Sequence, residues 1–225
     1  MHKVYKMSRA MPSLCLQVIP MDMDDIIKRI KKTVKPHRIP FDDPWKVLIS
    51  TVLSQRTRDE TTVEISRRLF QKYPHLEKLS RAELKDLENI LRPIGFYREK
   101  AKRIRDIARI LIREYNGIVP ENKEELMKLP GVGTKTANIV LSVCFGKDYI
   151  AVDTHVHRIS NRLGLVNTRS PEETEKELMK IVDKKYWKEL NLLLVEFGKK
   201  ICRPVNPRCN ECPLREICPS ANYVA

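Results

Sequence analysis

Leu129-Pro130-Gly131-Val132-Gly133-Thr134-Lys135-Thr136-Ala137 lies between two segments of helical apolar periodicity, and its reading decides the fold. An amphipathic helix is predicted to end before Pro130. A second begins near Gly133 and carries Ala137, Val140, Leu141 and Cys144 on its apolar face. Two glycines two apart permit a tight turn and a close approach of backbone. The N–H groups of the turn and of the new helix's first turn have no intrahelical acceptor, and the helix dipole makes that end positive. A phosphate can accept those N–H groups. Gly131, Val132, Gly133, Thr134 and Thr136 therefore form a candidate grip on a nucleic-acid backbone, independent of base sequence. Taken alone, the string fits a plain connector between helices equally well.

Working outward, the chain is helical on both sides. Asp24 and Asp25 precede an apolar stripe of Ile26, Ile27, Ile30 and Val34. Asp43-Pro44 supplies an N-cap and a first-turn proline, opening a helix with Trp45, Leu48, Ile49 and Val52 inward. Ser80 with Glu83 reads as a capping box. Ala101, Ile104, Ala108, Leu111 and Tyr115 repeat on one face, and Asn116-Gly117 ends that helix. Asn122 with Glu125, and Ser170-Pro171 with Glu173, start two more; Trp187, Leu190, Leu194 and Phe197 line a late one. No stretch alternates with a period of two between hairpin turn signals. The fold class is all-α.

The 225 residues carry 43 Lys+Arg against 29 Asp+Glu, a net charge of +14. Such an excess favours a polyanionic partner through counterion release, although a solvated basic surface would show the same composition. No apolar run reaches the ~18 residues of a membrane span. The basic N-terminus has only a short, broken apolar stretch, which argues against a secretory signal and for a cytoplasmic protein.

Val152-Asp153-Thr154-His155-Val156-His157-Arg158 follows the glycine turn, with Asp153 eighteen residues after Lys135. Together the two stretches resemble the endonuclease III family of DNA glycosylases, and the likeness runs from about Ile26 to Cys218. The family pattern pairs L-P-G-V-G-x-K-T-A with V-D-T-H-V-x-R. The resemblance implies a two-domain helix-hairpin-helix glycosylase fold, with a six-helix domain over 37–147 and a discontinuous domain of 1–36 plus 148–225. It implies a monomer that acts on double-stranded DNA holding damaged bases or abasic sites. Lys135 falls on the family's catalytic lysine and Asp153 on its catalytic aspartate. The implied activity is that of a bifunctional glycosylase and abasic-site lyase of base excision repair. It would remove oxidised pyrimidines and cut 3′ to the site by β-elimination through a lysine Schiff base.

The chemistry explains why these residue types are needed. A lysine with an unperturbed pKa of about 10.4 must lose its proton before it can attack. Desolvation and a helix N-terminus both favour that loss; Lys135, in the first turn of its helix, is placed for the second. A nearby carboxylate accepts protons and stabilises positive charge on the sugar, yet it also favours the ammonium. Asp153 equally suits a helix N-cap. His155 and His157, two apart, share no helix face and make a poor metal pair.

Cys202, Cys209, Cys212 and Cys218 have the spacing C-x₆-C-x₂-C-x₅-C. Four thiolates so grouped suit a metal or an iron–sulfur cluster. A Cys₄ zinc site is the competitor, although the usual pair of distant C-x₂-C knuckles is missing. The spacing is similar to that of the endonuclease III family, which implies a C-terminal [4Fe–4S] cluster loop. Lys199, Lys200, Arg203 and Arg208 lie where such a loop would meet phosphates. Cys15 and Cys144 are not expected to be ligands, and Cys144 is expected in the core.

A glycosylase takes its target base out of the stack, so a side chain must fill the gap. By resemblance, two loops qualify. In Leu53-Ser54-Gln55-Arg56-Thr57-Arg58-Asp59, an ungapped match puts Arg56 where the family has glutamine, with Gln55 one place earlier. In Ile94-Gly95-Phe96-Tyr97, Phe96 is a candidate wedge, or else a core aromatic. His155 and Arg158 complete the candidate DNA-facing set. Two other functions fit parts of the pattern. One is a mismatch glycosylase of the same superfamily, acting on thymine or uracil opposite guanine. The other is a non-catalytic DNA-binding protein. The mismatch enzymes typically lack a lysine at the Lys135 position, and having both Lys135 and Asp153 argues against a binding-only module.

Overall fold

The structure, a computed structural model, describes residues 22–35 and 40–221. Cys15, the basic N-terminus and the expected domain boundary at 36/37 lie outside them. The described residues form α-helices joined by short loops and 3₁₀ turns, with no strand among them. In chain order they are α1 (Met23–Thr33), α2 (Pro44–Ser54), α3 (Asp59–Lys72), α4 (Leu76–Ser80), α5 (Leu84–Leu91) and α6 (Tyr97–Tyr115). These are followed by α7 (Lys123–Met127), α8 (Thr134–Phe145), α9 (Thr154–Arg162), α10 (Pro171–Ile181) and α11 (Trp187–Lys200).

Two hydrophobic cores organise them. The first is built from consecutive helices: Leu48, Val52, Leu69, Leu87, Ile104, Leu111, Val140 and others from α2 through α8. Its centre is α2, which buries every residue from Val47 to Leu53, as expected of a helix apolar on all sides. The second core joins the two ends of the chain. Ile26, Ile27 and Ile30 of α1 pack with Val156 and Ile159 of α9, Leu178 of α10 and Leu190, Leu193, Leu194 and Phe197 of α11. Polar contacts reinforce the α1–α11 seam: Lys31 pairs with Glu189 at 2.7 Å, and Lys200 Nζ donates to the Thr33 carbonyl at 2.9 Å.

Local signals placed most helix ends. Asn116 (φ 52°) and Gly117 (φ 79°) are both left-handed, and Gly117 N–H returns to the Leu111 carbonyl at 2.8 Å. Asn122 and Ser170 accept the N–H groups of Glu125 and Glu173. Two expectations are corrected. Asp43 precedes α2, but its carboxylate pairs with Lys46 at 2.5 Å instead of capping the backbone. Ser80 and Glu83 form no capping box. Ser80 ends α4, its hydroxyl donates to the Glu77 carbonyl, and its own carbonyl accepts Arg109 Nε from α6. A partner on a distant helix thus takes Ser80 out of the start of α5.

Candidate functional site

A cleft of about 780 Å³ opens between the two cores. The first core contributes Ser50, Thr51, Arg56 and Asp59 from α2 and the start of α3, and Gly133–Lys135 and Ile139 from α8. The second contributes Val152–His155 at the start of α9, and Asn191, Val195 and Lys199 from α11. The two sequence stretches read as one motif set therefore meet from opposite walls.

Lys135 is the second residue of α8. Its Nζ stands 3.5 Å from Asp153 Oδ2; the lysine side chain is 44% exposed and the aspartate 13%. Asp153 is also the N-cap of α9, where Oδ1 accepts the N–H groups of His155 and Val156, each at 2.9 Å. The two uses fall on different oxygens. One fixes the carboxylate to the helix end, and the other faces the lysine.

The glycine turn is built as its composition demands. Gly131 has φ +76°, which strains any larger residue, and a Cβ there would also meet the Arg103 side chain at 2.9 Å and displace it. Val132 is buried in the first core and Thr136 is 4% exposed, which leaves only their backbone for a ligand. Gly133 is the N-cap of α8 and gives it no side-chain cap, in contrast to Asn122, Asp153 and Ser170. No side chain therefore caps the first turn of α8, where Gly133 and Lys135 are exposed.

The loop residues separate in a way the sequence left open. Gln55 turns back, and its Nε2 donates to the Gly131 carbonyl at 2.8 Å. Arg56, exposed and left-handed at φ 54°, reaches over the Phe96 ring, 5.6 Å from its centroid. Phe96 is no core aromatic: it is 63% exposed and itself left-handed at φ 59°. Two non-glycine residues in this sparsely populated region therefore stand side by side on one surface.

His155 lines the cleft, and burial holds its pKa below the ordinary value. His157 instead bonds Thr174 of α10 at 2.7 Å and is structural. Arg158 donates to the Cys202 carbonyl at 2.8 Å, which commits it to the C-terminal loop more than to the cleft. Lys199 pairs with Asp59 across the cleft and with Glu196 at 2.8 Å. Gly198 went unnoticed in the sequence. A Cβ there would stand 2.4 Å from His155 Nδ1, so the glycine lets α11 press against the start of α9. A lone glycine between Phe197 and Lys199 inside a helical pattern was the available signal.

Cys202, Cys209, Cys212 and Cys218 line one enclosed pocket with Leu163, Phe197 and Arg162. Arg162 approaches Cys202 Sγ at 3.5 Å and donates to the Arg203 and Pro204 carbonyls. Burial raises the Cys212 and Cys218 thiol pKa values, and the neighbouring thiols add to it. No three described His, Cys, Asp or Glu side chains converge tightly enough for a single metal ion. Cys144 lies apart, packed on the first core, and burial pushes its thiol to about 11.

A helical hairpin beside a cleft between two helical cores, with a lysine facing a carboxylate, defines the class of helix-hairpin-helix base-excision enzymes. Residues 49–184 match the HhH-GPD superfamily of base excision DNA repair proteins. Endonuclease III of Thermotoga maritima is 53% identical over 194 residues, which cover 86% of this chain and 89% of that protein. Endonuclease III of Bacillus subtilis is 42% identical over 187 residues, covering 81% and 85%. A non-covalent endonuclease III–DNA complex superposes with a TM-score of 0.82 at 40% identity, over 88% of this chain and 94% of that one. A thermostable thymine-DNA glycosylase is also similar, with a TM-score of 0.78 at 25% identity over 88% and 96%. The chain belongs to the endonuclease III family: it is a base-excision-repair DNA glycosylase of the glycosylase and abasic-site lyase class. No helix among the described residues is long and apolar enough to cross a membrane.

Proposed function

We propose that this enzyme is bifunctional, removing oxidised pyrimidines from duplex DNA and cutting the backbone 3′ to the site through a Schiff base on Lys135. The observation that carries this reading is the 3.5 Å approach of Lys135 Nζ to Asp153 Oδ2, beside the uncapped start of α8. The hairpin N–H groups hold a phosphate and bring the sugar to the cleft. The neutral Lys135 amine attacks C1′, and the C1′–base bond breaks with its electron pair leaving on the base. Asp153 stabilises the positive charge that develops on the sugar and takes up the amine's proton. Asp153 then returns that proton to the ring oxygen O4′, and the C1′–O4′ bond breaks as the nitrogen lone pair forms the C1′=N iminium. The iminium acidifies C2′; loss of a C2′ proton expels the 3′ phosphate with the C3′–O electron pair, and water then releases the lysine. Arg56, with Phe96 behind it, fills the space the target nucleotide leaves, while Gln55 stays on the hairpin.

The two cores support division into the domains 37–147 and 1–36 plus 148–225, with the cleft at their junction. The C-terminal donor set is four thiols around one shared pocket, and the spacing C-x₆-C-x₂-C-x₅-C, without two distant C-x₂-C knuckles, favours a cluster over one zinc ion. Cys202, Cys209, Cys212 and Cys218 would hold a [4Fe–4S] group, which would fix the fold of this loop. Arg158 and Arg162 join the loop to α9 and hence to the helix that Asp153 caps. Protein purified without oxygen is expected to contain about four irons per chain; one zinc and no iron would overturn the assignment.

Borohydride reduction tests the mechanism. Wild-type protein is expected to form a covalent complex with duplexes carrying an abasic site or an oxidised pyrimidine, and base release and strand scission should coincide. Base release without scission or trapping would favour the mismatch-glycosylase reading, to which the thymine-DNA glycosylase likeness also points.

A further inference from the structure

The molecule contains a second lysine that the mechanism above does not use. Lys100, in the first turn of α6, is only 2% exposed. Its ammonium donates to the Leu53 carbonyl at 2.8 Å, to the Gln55 carbonyl and to Thr57 Oγ1 at 3.0 Å. No carboxylate is among these partners. Burial pulls its pKa down to about 8, and neighbouring Arg103 adds to the effect. It does not line the cleft, so it is no rival nucleophile. A buried ammonium satisfied only by neutral oxygens is costly, and an apolar residue of similar volume would commonly be as stable.

What Lys100 does is join two loops. Leu53 and Gln55 end α2, where helix carbonyls lack intrahelical donors and the dipole is negative. The bonds therefore fix the exit of α2 on both sides of Arg56. Lys100 itself stands four residues after Phe96, the N-cap of α6, so the first turn of that helix carries both its ammonium and the Phe96 loop. The backbones of the two loops also come close: a Cβ on Gly95 would lie 3.4 Å from the Arg56 carbonyl. Arg103, one turn on, packs against Gly131 of the hairpin.

We propose that Lys100 is a positioning residue for opening the duplex: it locks the Arg56 and Phe96 loops into one wedge and holds that wedge in register with the hairpin. This inference rests on the proposed gap-filling roles of Arg56 and Phe96. The wedge must offset the cost of unstacking bases, so its rigidity governs opening and leaves the lysine chemistry untouched.

The test compares wild type with Lys100→Met on two substrates: a duplex with an oxidised pyrimidine beside 2-aminopurine, and single-stranded DNA with an abasic site. For Lys100→Met, the 2-aminopurine fluorescence rise and excision from the duplex are expected to fall by about tenfold or more. Borohydride trapping on the single strand, where nothing needs opening, should stay near the wild-type rate. Lys100→Gln, which keeps an amide donor without charge, should show the same split to a smaller degree and serves if the methionine variant does not fold. Equal losses on both substrates would mean a merely structural lysine and overturn the proposal; so would an unchanged opening signal. Failure of the wild-type protein to trap either substrate would instead overturn the lyase reading.

Discussion

Lys135→Ala is expected to abolish borohydride trapping on abasic DNA and to lower strand scission by roughly 10⁴-fold or more, as loss of a covalent nucleophile does elsewhere. The fold should be indifferent to the change. The side chain is 44% exposed, and its one polar contact is the 3.5 Å approach to Asp153. Alanine is also the better helix former at this position. The melting temperature should therefore stay close to that of the wild type, and DNA affinity should fall only modestly, because the hairpin N–H groups remain. Trapping and single-turnover scission measured with thermal unfolding separate these effects. Trapping that survives the substitution would move the nucleophile to another amine.

Asp153→Asn should separate two duties that share one carboxylate. Asparagine caps helices about as well as aspartate, so its Oδ1 can keep the bonds to His155 and Val156. Stability is expected to stay within about 1 kcal/mol of wild type. The charge facing Lys135 disappears, and with it the proton acceptor and the stabilisation of the developing cation. Single-turnover base release should fall by roughly 10²–10⁴-fold. Asp153→Ala should lose the same activity and also about 1 kcal/mol from the missing cap. Calorimetry beside single-turnover rates makes the comparison; an asparagine variant with the wild-type rate would leave Asp153 as a cap alone.

How much the sequence disclosed depended on the distance between cause and effect. Gly131, the Asn116-Gly117 stop and the Asn122 and Ser170 caps are set by neighbours a few residues away, and each could be read locally. Lys135 and Asp153 were legible through spacing and family likeness, although neither stretch says that the two meet across a cleft. Ser80 was misread because its carbonyl is claimed by Arg109 on another helix. That Gln55 turns back while Arg56 points outward depends on a bond to Gly131, seventy-six residues away. Lys100 does not stand out among the many charged residues of its helix. Yet it stands four residues before Ile104 and seven before Ile107, both fully buried, and a basic residue on an apolar stripe was the signal. Its meaning lay in carbonyls from α2, which no helical pattern lists.

The second core also dictates an order of events during synthesis. The helices of the first core are consecutive, so that core can close as soon as α8 has emerged. α1 leaves the ribosome before all of them, yet its cover is α11; Lys31 and its partner Glu189 are separated by 158 positions. At about 5–20 residues per second, α1 waits roughly 8–30 s for that cover. Throughout the wait its isoleucines are interleaved with Lys28, Arg29, Lys31 and Lys32. Charges set into an apolar segment hinder association with other chains, so the basic face of α1 protects the nascent protein before it serves the folded one.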